Sequence, residues 1–158
     1  MPKIIPTPEK ALKKAENYCV FQERSQQEVR DKIYSWGLHR KEVEEIISTL
    51  ISTDFLKEER FALAFAGGKF RIKKWGRHKI RKALQDKKVS EPLINKALSQ
   101  IDEVEYKKTL QRLITERTKL VKEANSFKKK NKIATYAISR GFEPEMVWEI
   151  IGQPSSIS

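Results

Sequence analysis

The chain has one cysteine, Cys19, and two histidines, His39 and His78. An internal disulfide is therefore excluded, and no Cys/His cluster has the spacing of a zinc site. Long apolar runs are also missing. The longest, Phe61 to Ala66, is six residues, where a membrane span needs about 20. The opening Met1-Pro2-Lys3-Ile4-Ile5-Pro6 lacks the roughly 7–15 apolar residues of a secretory signal, so a cytoplasmic protein without membrane contact is expected. Strand signals are nearly absent: no segment alternates apolar and polar residues between turn dipeptides, whereas spacings of three and four recur throughout. The expected class is all-α.

Catalytic patterns are scarce as well. Glu58 and Glu59 are adjacent, and neighbours on a helix point about 100° apart, so they do not converge as a metal or nuclease pair. Gly67-Gly68 lacks the Gly-Lys-Ser/Thr ending of a phosphate loop and reads instead as a site of close helix approach or a bend. No nucleophile sits with a base and no cofactor fingerprint occurs. The expectation is a protein that is not an enzyme and uses neither cofactor nor metal.

What the chain has in quantity is positive charge, at +12 over 158 residues. In a soluble intracellular protein such a surplus points to a polyanionic partner. The excess is local. Residues 67–88 hold ten Lys/Arg against Asp86 alone, and residues 117–132 hold seven against Glu123 alone.

Sliding the chain against itself aligns Val29, Ile80 and Ile133, 51 and 53 residues apart, over 18 gapless positions. Six columns stay apolar: Val29/Ile80/Ile133, Ile33/Leu84/Ala137, Leu38/Val89/Phe142, Val43/Ile94/Val147, Ile46/Ala97/Ile150 and Ile47/Leu98/Ile151. Each copy reads as a helix, a tight turn and a second helix. The turn column holds Gly37, Lys88 and Gly141, where a left-handed residue would let the chain leave the first helix. A third helix follows in copies one and two, in copy one over about 55–74 with Phe61, Phe65, Gly68 and Ile72 on one stripe. Thr7-Pro8 opens an N-terminal helix with Leu12, Ala15 and Cys19 on one side, and Ser25-Gln26-Gln27-Glu28 is a capping box. The predicted organisation is an elongated array of three-helix, helix-turn-helix-like tandem repeats. It comprises an N-terminal helix and lead-in (1–24), repeat 1 (25–75), repeat 2 (76–127), a truncated repeat 3 (128–151) and a flexible tail (152–158).

Both basic clusters fall at the same phase of the repeat, around the end of a third helix and the start of the next unit. Repetition at one phase with little interspersed acid favours a binding surface over a merely solvated one. The candidate binding residues are Lys69, Arg71, Lys73, Lys74, Arg77, Arg81, Lys82, Lys128, Lys129, Lys130 and Lys132. Trp36, Trp75 and Trp148 read as packing residues, and the histidines as surface residues.

The order Tyr18, Arg24-Ser25-x-x-Glu28-Val29-x-x-Lys32-Ile33, Gly37-Leu38, Leu56-x-x-Glu59-Arg60-Phe61-Ala62, Trp75-Gly76-Arg77-x-x-Ile80 and Arg140-Gly141-Phe142 resembles the RecX family of bacterial recombination regulators. The resemblance runs over roughly residues 10–151. It departs from the family pattern at Lys88, in place of the turn glycine, and at Lys129, where a capping serine would fall in copy three. The resemblance implies a curved array of three-helix repeats. It also implies a non-enzymatic role in homologous recombination, DNA repair and the SOS response: binding the RecA–DNA filament and restraining its ATP hydrolysis and strand exchange. The implied partner is the recombinase filament, with single- or double-stranded DNA also open, and the chain is expected to be a monomer. The alternative is an autonomous DNA-binding helix-turn-helix array.

Overall fold

The computed structural model describes residues 4–152; the predicted tail beyond Gly152 lies outside them. Among the described residues every regular element is an α-helix. They run α1 (Pro8–Phe21), α2 (Gln26–Ser35), α3 (Arg40–Ser52), α4 (Glu58–Arg71), α5 (Arg77–Asp86), α6 (Glu91–Ser99), α7 (Glu103–Leu120), α8 (Ser126–Ser139) and α9 (Pro144–Ile151). The pairs α2–α3, α5–α6 and α8–α9 are the three helix-turn-helix copies of the repeat. The all-α tandem architecture is thus as the periodicity predicts.

Local chemistry sets the helix starts. Thr7 caps α1 by accepting from the Lys10 N–H at 3.3 Å, with Pro8 at the first helical position. At α2, Ser25 Oγ accepts from the Glu28 N–H and Glu28 Oε1 accepts from the Ser25 N–H, both at 3.0 Å, and Ser25 is fully buried. Asn125 caps α8 by accepting from the Lys128 N–H at 3.0 Å. Helix α8 therefore begins upstream of Lys129, and the missing serine at that position is replaced by an earlier cap.

The turn column behaves as expected. Gly37 (φ +96°), Lys88 (φ +64°) and Gly141 (φ +102°) all have left-handed backbones. At Lys88 the N–H donates to Gln85 O (2.9 Å) and the Val89 N–H to Leu84 O (3.1 Å); at Gly141 the same pair runs to Ile138 O (2.9 Å) and Ala137 O (3.3 Å). Both are the Schellman arrangement that satisfies the last helical carbonyls. Asp54 (φ +65°) closes α3 in the same way, with Phe55 N–H donating to Leu50 O at 2.9 Å. Periodicity alone gave no sign of that turn.

The predicted third helix of copy one is shorter than 55–74. It starts at Glu58, after the Asp54 turn, and ends at Arg71, where the chain turns through Lys74 (φ +58°). Its buried stripe is Phe61, Ala62, Ala66 and Phe70, while Ile72 is exposed. The Gly67-Gly68 pair does not mediate close helix approach. Among the described residues, a methyl group on Gly68 would meet nothing within 4 Å, and the nearest atoms to one on Gly67 belong to the flexible Arg71 guanidinium.

The chain divides into two compact units. The first comprises the chain up to Phe65 together with Leu84–Ile94, the second Ala66–Ala83 together with the chain from Asn95 onward. In the first, Ala11, Ala15 and Cys19 of α1 pack with Val29 and Ile33 of α2 and with Val43, Ile46, Ile47 and Leu50 of α3. Leu12 lies at the edge of this core rather than within it. Burial raises the Cys19 thiol pKa above its ordinary value. Arg60 donates to Glu23 at 2.7 Å and reaches Asp54 at 3.3 Å. Glu58 accepts from the Gln26 N–H at 3.0 Å, so it caps the start of α2 besides standing in the first turn of α4. In the second unit the rings of Phe70, Tyr106 and Phe142 form a chain, with centroids 5.6 and 5.2 Å apart. All six apolar columns are buried in all three copies, save that Ile150 and Ile151 are half-buried.

Candidate functional site

All the candidate basic residues lie in the second unit, although the two clusters are far apart in sequence. Their frame is a backbone contact between two short motifs. The Gly76 N–H donates to Arg140 O at 2.8 Å and the His78 N–H to Gly141 O at 2.9 Å. Neither glycine has room for a side chain: a Cβ on Gly76 would collide with the Gly141 carbonyl, and one on Gly141 would come within 2.7 Å of the Lys79 nitrogen. Trp75-Gly76-Arg77 and Arg140-Gly141-Phe142 are thus interlocked, which explains why small residues stand there.

Beside this contact is a cluster of charged and aromatic groups. The Arg77 N–H donates to the Tyr106 hydroxyl (2.9 Å), and its guanidinium lies 3.8 Å from the Tyr106 ring centroid. Arg77 Nη1 donates to Glu143 Oε2 at 2.6 Å and Nη2 donates to Glu103, while the Tyr106 hydroxyl donates to the other Glu143 oxygen. Arg77 and Glu143 side chains are each 19% exposed. Burial works to raise the Glu143 pKa, but the hydrogen bonds from Tyr106 and Arg77 outweigh it and hold the carboxyl below its ordinary value. Burial, with the Glu143 contact, raises the Tyr106 pKa. Arg77, one of the candidate contact residues, pairs with two carboxylates that fasten α5 to α7 and α9. Nothing in local sequence signals this, because the partners are 26 and 66 residues away.

The other candidates are distributed as follows. Lys69 Nζ lies 4.9 Å from the Trp75 ring centroid and Lys79 Nζ 4.7 Å from it. Trp75 is half-buried, so it both packs and carries two cations. Arg71 folds back over Gly67. Lys73 and Lys74 are exposed on the turn after α4, and the Lys73 carbonyl accepts from Arg140 Nη2. Arg81 donates to Asn95 Oδ1 at 2.9 Å, and Lys82 is exposed. On α8, Lys128 is exposed, Lys129 and Lys130 are half-buried, and Lys132 pairs with Glu123 at 3.0 Å. Among the described residues, no three His, Cys, Asp or Glu side chains group as a metal site, and no helix is long and apolar enough to cross a membrane.

These features define a class: an all-α protein of tandem three-helix units, one of whose compact bodies carries most of the excess positive charge. Residues 58–98, covering α4 to α6, match the family model described as RecX, second three-helix domain. Among curated relatives, the regulatory protein RecX of Clostridium tetani is 29% identical over 128 residues, covering 80% of this chain and 56% of that protein. The regulatory protein RecX of Thermotoga petrophila is 28% identical over 146 residues, covering 89% of this chain and 84% of that protein. The crystal structure of RecX from Lactobacillus salivarius shares the fold, with a TM-score of 0.82 and 24% identity over 91% of this chain and 94% of that one. Over most of its length the chain is thus similar to regulatory proteins named RecX, and its α4 to α6 match that family's second three-helix domain.

Proposed function

We propose that the chain is a non-catalytic regulator that binds the RecA–DNA filament and inhibits its ATPase and strand exchange. The regulatory role is supported by the name its relatives carry, regulatory protein RecX. The observation that supports the mode of action is the gathering of both basic clusters in a single compact unit. Lys73, Lys74 and Lys128 stand exposed there and form no ion pair among the described residues. Several weak cationic contacts made by one body to a repeating polyanion raise the apparent affinity without a deep pocket. Arg77 belongs to the support of that surface; Lys69, Arg71, Lys73, Lys74, Arg81, Lys82, Lys128, Lys129, Lys130 and Lys132 remain its proposed contact residues.

The test is the ATPase of RecA on single-stranded DNA, with and without this chain. Inhibition is expected, and reversing Lys73, Lys74 and Lys128 to Glu should abolish it with helical content unchanged. Full inhibition by the reversed variant would remove these lysines from the account; an unaltered ATPase at saturating protein would refute the function.

A further inference from the structure

Within the second unit, α7 and α8 border a cavity of about 230 Å³. Lys74, Arg112, Arg117 and Arg140 line it together with a single carboxylate, Glu116. None of the four cations is in an ion pair among the described residues. The Arg117 guanidinium lies 4.0 Å from the Tyr136 ring centroid, and Arg140 is held by its bond to the Lys73 carbonyl. The Nε atoms of Arg117 and Arg140 are shielded from solvent and have no acceptor among the described residues.

A shielded guanidinium N–H without an acceptor is costly, and native structures seldom keep one unless it has a task. Here the two arginines that carry such groups line one cavity with two further cations and one acid. The local field draws an anion. A planar guanidinium fork matches oxygens arranged for paired acceptance, and a phosphate group presents more such oxygens around one centre than the two of a carboxylate, enough for two arginines and further cations at once. Arg117 and Tyr136 also line an adjoining cavity that contains Lys122 and Lys132, so cationic lining continues past the first site.

We propose that this cavity is a phosphate-binding site, in which Arg117 and Arg140 turn their Nε–H groups onto the bound anion and Lys74 and Arg112 complete its neutralisation. The group is supplied by a nucleic-acid strand or by a free phosphate. The site stands independently of the recombinase reading, since it concerns this chain alone.

The side-chain Nε–H resonances of Arg117 and Arg140, observed by NMR in the full chain, report on it directly. Titrations use inorganic phosphate, chloride at matched ionic strength, and an oligothymidylate. Saturable shifts of both resonances with phosphate but not with chloride are expected. Single Arg117→Lys and Arg140→Lys variants, which keep the charge and lose the fork, should bind at least tenfold more weakly. An oligothymidylate that moves the same resonances at far lower concentration, and is displaced by phosphate, assigns the site to strand phosphates; affinity no better than that of inorganic phosphate assigns it to the free anion. Shifts that chloride reproduces, or unmoved arginine resonances while the oligothymidylate binds, would overturn the proposal. Because the wild-type titration decides this, a variant that fails to fold does not rescue it.

Discussion

Lys88 is the sharpest point at which the repeat can be tested, because it stands where the other two copies have glycine and shares their left-handed backbone. A non-glycine residue in that region costs about 1–2 kcal/mol. Glycine would remove that cost but would widen the unfolded ensemble, giving back about 0.4–1 kcal/mol. The Lys88 side chain is exposed, so little else is lost, and Lys88→Gly should stabilise by about 0.5–1 kcal/mol. For a chain of this size that is a rise in Tm of about 1–4 °C. The two glycines should respond in the opposite direction and unequally. At Gly37 a Cβ meets Ile5 Cγ1 at 2.9 Å, the exposed side chain of a residue that can rotate away, so Gly37→Ala should cost about 1–2 kcal/mol, mostly from the φ of +96°. At Gly141 the Cβ meets backbone atoms, Lys79 N at 2.7 Å and Gly76 O at 2.8 Å, which cannot move without parting the Gly76–Gly141 contact. Gly141→Ala should cost about 2–5 kcal/mol. Thermal and urea melts of the three variants give the order. A destabilised Lys88→Gly, or a Gly141→Ala no worse than Gly37→Ala, would refute the reasoning.

Ser25→Ala removes the acceptor for the Glu28 N–H in a fully buried setting and should cost about 1–2 kcal/mol by urea unfolding, whereas a change below a few tenths would mean the capping box is ornamental. Glu143→Gln, which leaves Arg77 with Glu103 alone, should cost about 1–3 kcal/mol. Because the folded Glu143 pKa is depressed, its stabilisation is complete above the ordinary value of 4.5 and is lost as the pH falls through the lower folded value; the difference between wild type and Glu143→Gln should therefore shrink in melts taken below pH 4.5. The raised Tyr106 pKa has the other sign: its contribution is intact below pH 10 and falls as the pH rises beyond it.

Much of the fold was legible because helical periodicity and turn chemistry act locally. The apolar columns marked the buried faces, the Ser25 box and Thr7-Pro8 marked helix starts, and the Gly37/Lys88/Gly141 column marked left-handed exits. The repeat has no unique first helix, which is why a three-helix unit can be drawn as α4 to α6, as in the family match, or from the helix-turn-helix pair onward. The left-handed turns at Asp54 and Lys74 escaped notice because neither residue announces a positive φ. The site was less legible, for a physical reason. Charge density along a sequence says where cations are numerous, but not which of them carboxylates already neutralise. Arg77 and Lys132 looked alike with their neighbours in sequence, yet both have acidic partners. Conversely, Arg112 and Arg140 stand outside the dense runs, and only the packing of α7 and α8 brings them to one cavity with Lys74 and Arg117.

The central claim is that this chain acts on a recombinase filament rather than on nucleic acid alone. It is tested most directly by the affinity of the chain for single-stranded DNA, bare and coated with RecA and a non-hydrolysable nucleotide, at one salt concentration. The account predicts markedly tighter binding to the coated strand, and a steep loss of that binding with added salt. Equal or tighter binding to the bare strand would contradict it and leave an autonomous DNA-binding helical array.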